Sequence, residues 1–138
     1  MKHIILSIKP SFSNEIYNGQ KKVELRKKIG HLFTTNNLIY IYSSAPEQKI
    51  SGHALIKKVS EMPISDIKAQ VISLACISET AFDDYYKGHS TGFVIWLKDI
   101  VKYEDPLPLE KLKNEGFSAP QSFCYVSDRI GRLLRDSK

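Results

Sequence analysis

Gly19-Gln20-Lys21-Lys22-Val23-Glu24-Leu25-Arg26 is the stretch from which the rest of the chain is best read. A glycine closes what reads as a helix, and a lysine follows two residues later. Valine and leucine then alternate with glutamate and arginine, the pattern of a strand with one apolar and one polar face. Glu24 and Arg26 therefore project from the same side, and Lys21 falls where the turn enters the strand. A carboxylate held between two cations stays ionised, able to accept hydrogen bonds, to pair structurally or to act as a base. The plainer reading of the same spacing is a charged strand at a solvent-facing sheet edge, where charge opposes aggregation and ion pairs contribute little.

The chain has 138 residues, the size of one domain spanning 1–138, with 42% hydrophobic and 25% charged residues. That length buries a core without disulfide staples, and the composition is that of an ordinary globular protein. No apolar run reaches membrane-spanning length, and Lys9-Pro10 ends the apolar start too early for a secretory signal. Cys76 and Cys124 lack metal-like spacing and read as small buried hydrophobes in a reducing cytoplasm. The four histidines show no ligand spacing, so neither a metal nor a cofactor is expected. The net charge of +5 leans toward polyanions, with Lys21, Lys22, Arg26, Lys27 and Lys28 near the front and Arg129, Arg132 and Arg135 at the end.

Residues 3–9 read as a central strand apolar on both faces, and Ser11 as the cap of a short helix that turns Phe12 and Ile16 to the core. Gly19 takes the left-handed position after that helix. After the Glu24 strand come a loop to Asn37, a strand at 38–42, a turn around Pro46 and a strand at 50–59. Gly52 in that last strand signals a bulge or a close backbone approach. Ile64, Ile67, Val71 and Leu74 have helical spacing, and Ser78 caps a further helix carrying Phe82, Tyr85 and Tyr86. A long strand at 92–103 holds Trp96, Pro106 and Pro108 break the chain, and 108–114 holds a helical turn. A short strand at 123–127 and a helix capped by Ser127 finish the order. This α+β succession fits a mixed barrel better than a doubly wound sheet, and no phosphate-binding glycine loop is present.

Gly-x-Lys-x-x-Glu-x-Arg after a strand ending in Ser7-Ile8-Lys9-Pro10 resembles the signature of the ASCH domain, a branch of the PUA-like superfamily. Three further segments resemble that family in order: Tyr42-Ser43-Ser44-Ala45-Pro46 with Ile50-Ser51-Gly52, Phe82 to Gly88 with Gly92-Phe93-Val94-Ile95, and Ala119-Pro120-Gln121-Ser122-Phe123. The resemblance implies a small PUA-like mixed β-barrel flanked by helices, and business with RNA or modified nucleobases. Some hydrolytic members use a lysine at the position of Lys21, a threonine where Glu24 stands and a glutamate from the later helix. Here the lysine matches, the threonine does not, and the later glutamate maps to Glu79. On its own, Glu79 reads as a first-turn carboxylate favoured by the helix dipole.

Lys21, Glu24 and Glu79 are thus the candidate catalytic groups. Lys21, Lys22, Arg26, Ser43, Ser44, Gln121 and Ser122 are the candidates for holding nucleic acid. Arg26 has a planar fork suited to phosphate, or pairs with Glu24. Ser43 and Ser44 meet a base edge or make turn chemistry. Gln121 and Ser122 line the central cleft if the resemblance holds and are loop residues otherwise. Tyr40 and Tyr42, on one strand face, read first as core residues and second as stacking platforms. Three functions follow: a module that binds RNA or a modified nucleoside in a basic cleft, a small hydrolase using Lys21 with Glu24 or Glu79, or a sensor that signals to a protein partner. The binding module fits best.

Overall fold

The computed structural model describes residues 1–136. Six strands form one mixed sheet in the order β2-β5-β4-β3-β1-β6. They are β1 (Ile4–Ile8), β2 (Val23–Arg26), β3 (Leu38–Ser43), β4 (Lys49–Pro63), β5 (Thr91–Pro108) and β6 (Phe123–Tyr125). Only β1 and β3 pair in parallel; the other neighbours are antiparallel. Register shifts in β4 at Ile50/Gly52, His53/Leu55 and Ile56/Lys58 bend the long β4–β5 ribbon, and the sheet curls into a half-barrel. Gly52 sits at one of these shifts, where a Cβ would come within 2.2 Å of the Val101 carbonyl and 2.6 Å of the Tyr17 hydroxyl, so only glycine fits.

The helices are α1 (Pro10–Tyr17), α2 (Ile64–Gln70), α3 (Ile72–Ala75), α4 (Glu79–Tyr86), α5 (Leu109–Lys113) and α6 (Asp128–Asp136). Helix α1 fills the concave side: Ile16 is buried among Leu6, Ile8, Ile41, Ile56 and Ile95, with Phe12 and Tyr17 packed at the edge. Helices α2 to α4 cover the outer face of β2 and β5, over Val23, Leu25 and Val94. Leu112 of α5 and Ile130 and Leu134 of α6 cover Ile5, Tyr40, Tyr42 and Ile50. Tyr40 and Tyr42 are therefore core residues.

The α+β order expected from the sequence holds, with three local differences. The cap of α1 is Lys9, not Ser11, because Pro10 occupies the first turn with its φ already set. The helix expected across 64–74 is two, broken where Val71 adopts φ −128°. Pro106 does not break β5, which runs on and ends at Pro108. Strand β2 pairs only with Phe93 to Trp96, so the far half of β5 has β4 on one side and an open edge on the other, where a missing N–H costs no ladder bond. Gly19, at φ +86°, takes the left-handed position after α1. Cys76 and Cys124 are free and half-buried rather than buried.

Candidate nucleotide cleft

Strand β2 is an edge strand, yet all four of its residues are buried. Val23 and Leu25 turn outward under α2 to α4. Glu24 and Arg26, on the opposite side of the pleat, turn into the open seam of the half-barrel, facing the end of β1. The alternation was readable, but its polar face points into a cavity and not into solvent. Lys21 joins that face because the Gly19 turn wraps back on α1: the N–H groups of Gln20 and Lys21 both donate to the Glu15 carbonyl, at 3.0 Å each.

Lys21, Glu24 and Arg26 are only 2%, 7% and 9% exposed. The Lys21 ammonium donates to the Ala75 carbonyl at 2.5 Å, stands 3.3 Å from Glu24 Oε1 and lies 4.7 Å from the Phe12 ring centre. Arg26 Nε and Nη2 both donate to Glu24 Oε2, at 3.2 and 2.6 Å. Its Nη2 also donates to the Ser7 carbonyl at 2.7 Å, and its Nη1 to the Ser122 hydroxyl at 3.0 Å and the Ser122 carbonyl at 3.4 Å. A guanidinium has five N–H donors, and each finds an acceptor here. Arg26 therefore closes the seam that no backbone ladder closes, tying β2 to β1 and to the segment before β6. Burial pushes the Glu24 carboxyl up, but Arg26 and then Lys21 outweigh it and hold the group below the ordinary carboxylate range. Glu24 is an anion whose Oε1 keeps acceptor capacity toward the cavity.

The cavity has a volume of about 400 Å³, within the range of small-molecule sites. The three charged residues form its floor. Phe12 of α1 and Ile77, Ala81 and Tyr85 around α4 form apolar walls, and Lys9, Ser44 and Gln121 stand at the rim. The Tyr85 hydroxyl accepts the Lys27 N–H at 3.2 Å, and the Lys27 ammonium lies 4.6 Å from the Tyr85 ring centre. Burial raises the Tyr85 phenol pKa, with Arg26 partly offsetting it, so the ring is neutral.

Of the residues singled out from the sequence, Lys21, Glu24, Arg26, Ser44 and Gln121 line this cavity, and Ser122 touches it through Arg26. Lys22 and Glu79 are exposed and stand outside the lining. Ser43 is fully buried in a different place: its hydroxyl is 3.0 Å from that of Ser13 and 2.7 Å from that of Ser51, which lies 2.6 Å from the Tyr17 hydroxyl. Ser43 thus fastens α1 to β3 and β4. Sequence reasoning missed Lys9 and Tyr85 as lining residues and read Phe12 as core. The one available signal was Lys9-Pro10, a cation at the end of an apolar strand. Among the described residues no three His, Cys, Asp or Glu side chains converge, and no helix is long and apolar enough to cross a membrane.

A family model described as "Domain of unknown function (DUF365)" matches residues 1–115. A Zymomonas mobilis protein named "ASCH domain-containing ribonuclease" is 27% identical over 127 residues, covering 91% of this chain and 84% of that protein. The crystal structure of ASCH from Zymomonas mobilis superposes with a TM-score of 0.90 at 25% identity, covering 98% of this chain and 94% of that one. Human THYN1, solved in complex with DNA containing 5-methylcytosine, superposes with a TM-score of 0.60 at 12% identity, covering 99% and 97%. At that identity the likeness is one of fold. The ASCH-type, PUA-like fold expected from the signature is borne out, with its mixed barrel present as a curled half-barrel of six strands among the described residues.

Proposed function

This chain belongs to the DUF365 family and carries the ASCH fold, and from that premise we propose that it binds RNA by taking the base of one nucleotide into the cavity above Lys21, Glu24 and Arg26. One observation carries the reading. A buried, ionised carboxylate and a buried ammonium stand 3.3 Å apart on the floor of a cavity of about 400 Å³ with aromatic walls. A base edge presents N–H donors beside carbonyl or ring-nitrogen acceptors, which complements a carboxylate beside an ammonium. Phe12 and Tyr85 offer faces for stacking, the usual means by which single-stranded bases are held. The ribonuclease name of the Zymomonas relative and the DNA complex of THYN1 support a nucleic-acid ligand.

The test is a fluorescence-polarisation titration of labelled single-stranded RNA at low salt, with single-stranded DNA alongside. Phe12→Ala is expected to weaken binding by roughly 5- to 150-fold, the cost of about 1–3 kcal/mol of stacking. Wild-type protein that binds no RNA at low salt overturns the reading.

A second reading, favoured by the relative's name, is that the bound RNA is cut. A 2′-hydroxyl adjacent to the held base attacks phosphorus, the bond to the 5′ oxygen breaks, and a 2′,3′-cyclic phosphate and a 5′-hydroxyl result. In this reading Glu24, an anion, takes the 2′ proton and the Lys21 ammonium gives one to the leaving oxygen, which requires the ribose and phosphate, in place of the base edge, at the cavity floor. Chromatography of RNA incubated with wild type and with Lys21→Ala decides it. Cyclic-phosphate product that the variant does not make supports cleavage, and intact RNA in both leaves a binding protein.

A further inference from the structure

The cavity floor has no cation free to hold a phosphate. All five Arg26 N–H donors are taken by Glu24, Ser7 and Ser122. The Lys21 ammonium is engaged by Ala75 and Glu24 and covered by the Phe12 ring. A phosphate brought to this floor would also meet the Glu24 carboxylate, which is held ionised. The interior therefore suits a neutral, flat group and repels an anion.

The rim is the reverse. Lys9 is exposed, lines the cavity mouth and pairs with no carboxylate among the described residues. Lys27, partly exposed and not itself a lining residue, holds its ammonium 4.6 Å from the ring centre of Tyr85, a residue of the cavity wall, and it too pairs with no carboxylate among the described residues. Lys9 continues from β1 and Lys27 from β2. These are the strands that Arg26 ties together across the seam through the Ser7 carbonyl. One unpaired cation, Lys9, thus stands at the cavity mouth and another, Lys27, beside the Tyr85 wall, near an interior that accepts no anion.

Resting on the binding reading above, we infer that the ligand is a nucleotide within a strand, its base in the cavity and its two flanking phosphates on Lys9 and Lys27, and not a free nucleoside. A free nucleoside leaves both rim lysines unused. A single phosphate uses one. A nucleotide with a phosphate on each side uses both, and the strand continues outward over exposed Lys28.

The minimal probes are the four ribonucleosides, their 5′- and 3′-monophosphates and their 3′,5′-bisphosphates, titrated by calorimetry at 50 and 200 mM salt beside a mixed-sequence RNA trinucleotide. Affinity is expected to rise from nucleoside to monophosphate to bisphosphate. The affinity of the bisphosphate should fall more between the two salt concentrations than that of a monophosphate, since salt screens two phosphate–lysine contacts in place of one. Lys9→Gln and Lys27→Gln should each lower bisphosphate affinity by about three- to fivefold, as for exposed ion pairs, and by more than they lower nucleoside affinity. Lys9 is exposed and Lys27 partly so, and equal melting temperatures verify folding. Nucleosides that bind as tightly as bisphosphates, or a phosphate gain that survives both substitutions, overturn the inference and leave the cavity as a base site. Failure of every probe, the trinucleotide included, overturns the binding reading itself and this inference with it.

Discussion

Two sets of buried polar side chains meet α1, and they are built from opposite chemistry. Lys21, Glu24 and Arg26, which reach α1 through Phe12, are charged and open on a cavity. Ser13, Ser43, Ser51 and Tyr17 are neutral hydroxyls strung between α1, β3 and β4. The hydroxyls can all point one way, from Tyr17 through Ser51 and Ser43 to Ser13 and on to the Pro10 carbonyl at 3.2 Å. Both sets are satisfied, since among the described residues no buried side-chain nitrogen or oxygen lacks a partner. They differ in what satisfaction costs. A hydroxyl gives up little solvation, and its bonds return about 1 kcal/mol each. Three charges give up far more, and apolar side chains of similar shape often serve stability as well or better. The neutral set explains itself as a fastening. The charged set fastens too, since Arg26 ties the seam, but three buried charges are a costly way to do it, and their position on the cavity floor supplies the further reason.

The sharpest break of this contrast is Glu24→Gln. It leaves Lys21 and Arg26 buried without their anion, and the loss expected in urea denaturation is about 3–5 kcal/mol. A triple change, Lys21→Met with Glu24→Leu and Arg26→Met, is expected to recover wild-type stability or exceed it while losing RNA affinity. A triple variant as unstable as Glu24→Gln would place the charged set with the fastenings.

Acid titration tests the same group by another route. The folded-state pKa of Glu24 lies below its ordinary value of 4.5 because Arg26 and Lys21 outweigh the effect of burial. A depressed carboxyl contributes stability that is present above the unfolded pKa and lost as pH falls through the folded one. Urea midpoints should therefore drop as pH falls below about 4.5, and more shallowly in Glu24→Gln than in wild type. Equal acid limbs would mean that the carboxyl is not held by its neighbours.

How much of this was legible depended on whether the information lay within one element. The floor was, because alternation in β2 puts Glu24 and Arg26 on one side and the Gly19 turn brings Lys21 beside them. Gly52 was, because a glycine inside a strand has few other uses. The walls were not: Phe12, Tyr85 and Lys9 come from α1, α4 and the end of β1, and no spacing relates them. Their convergence follows from the curl of the sheet, which brings edge strand β2 opposite the end of β1 and the segment before edge strand β6, across a seam with no ladder. Pro106 misled for the same reason, since whether a proline breaks a strand depends on the neighbour it has, whereas β5 does end at Pro108. Ser43 and Ser44 look alike in sequence, yet one is sealed in the hydroxyl chain and the other stands at the rim.

The neutral set yields the next effect in size. Ser43→Ala removes the middle of the chain and strips a partner from both Ser13 and Ser51, so a loss of about 1–3 kcal/mol is expected. Because Ser43 does not touch the cavity, RNA affinity measured where the variant is folded should stay within about twofold. A large drop in affinity with little loss of stability would make Ser43 part of the cleft and erase the contrast.

Tyr17→Phe, at the end of the chain, should cost less. Ser51 keeps Ser43 and the Ile41 carbonyl at 3.4 Å as partners, so about 0.5–1.5 kcal/mol is expected at neutral pH. Its distinguishing mark lies in alkali. Burial pushes the Tyr17 phenol up to about 12 from its usual 10, with the Ser51 bond lowering it and Glu47 raising it slightly. A group whose folded pKa is raised contributes stability fully present below the unfolded pKa and lost as pH rises through the folded one. Wild type should thus lose stability between pH 10 and about 12. Tyr17→Phe should lose less over that window, though not nothing, since burial also raises Tyr86 and Tyr103. Urea midpoints across that range decide it. Parallel curves for the two proteins would mean that the Tyr17 hydroxyl is open to water and that the chain ends at Ser51.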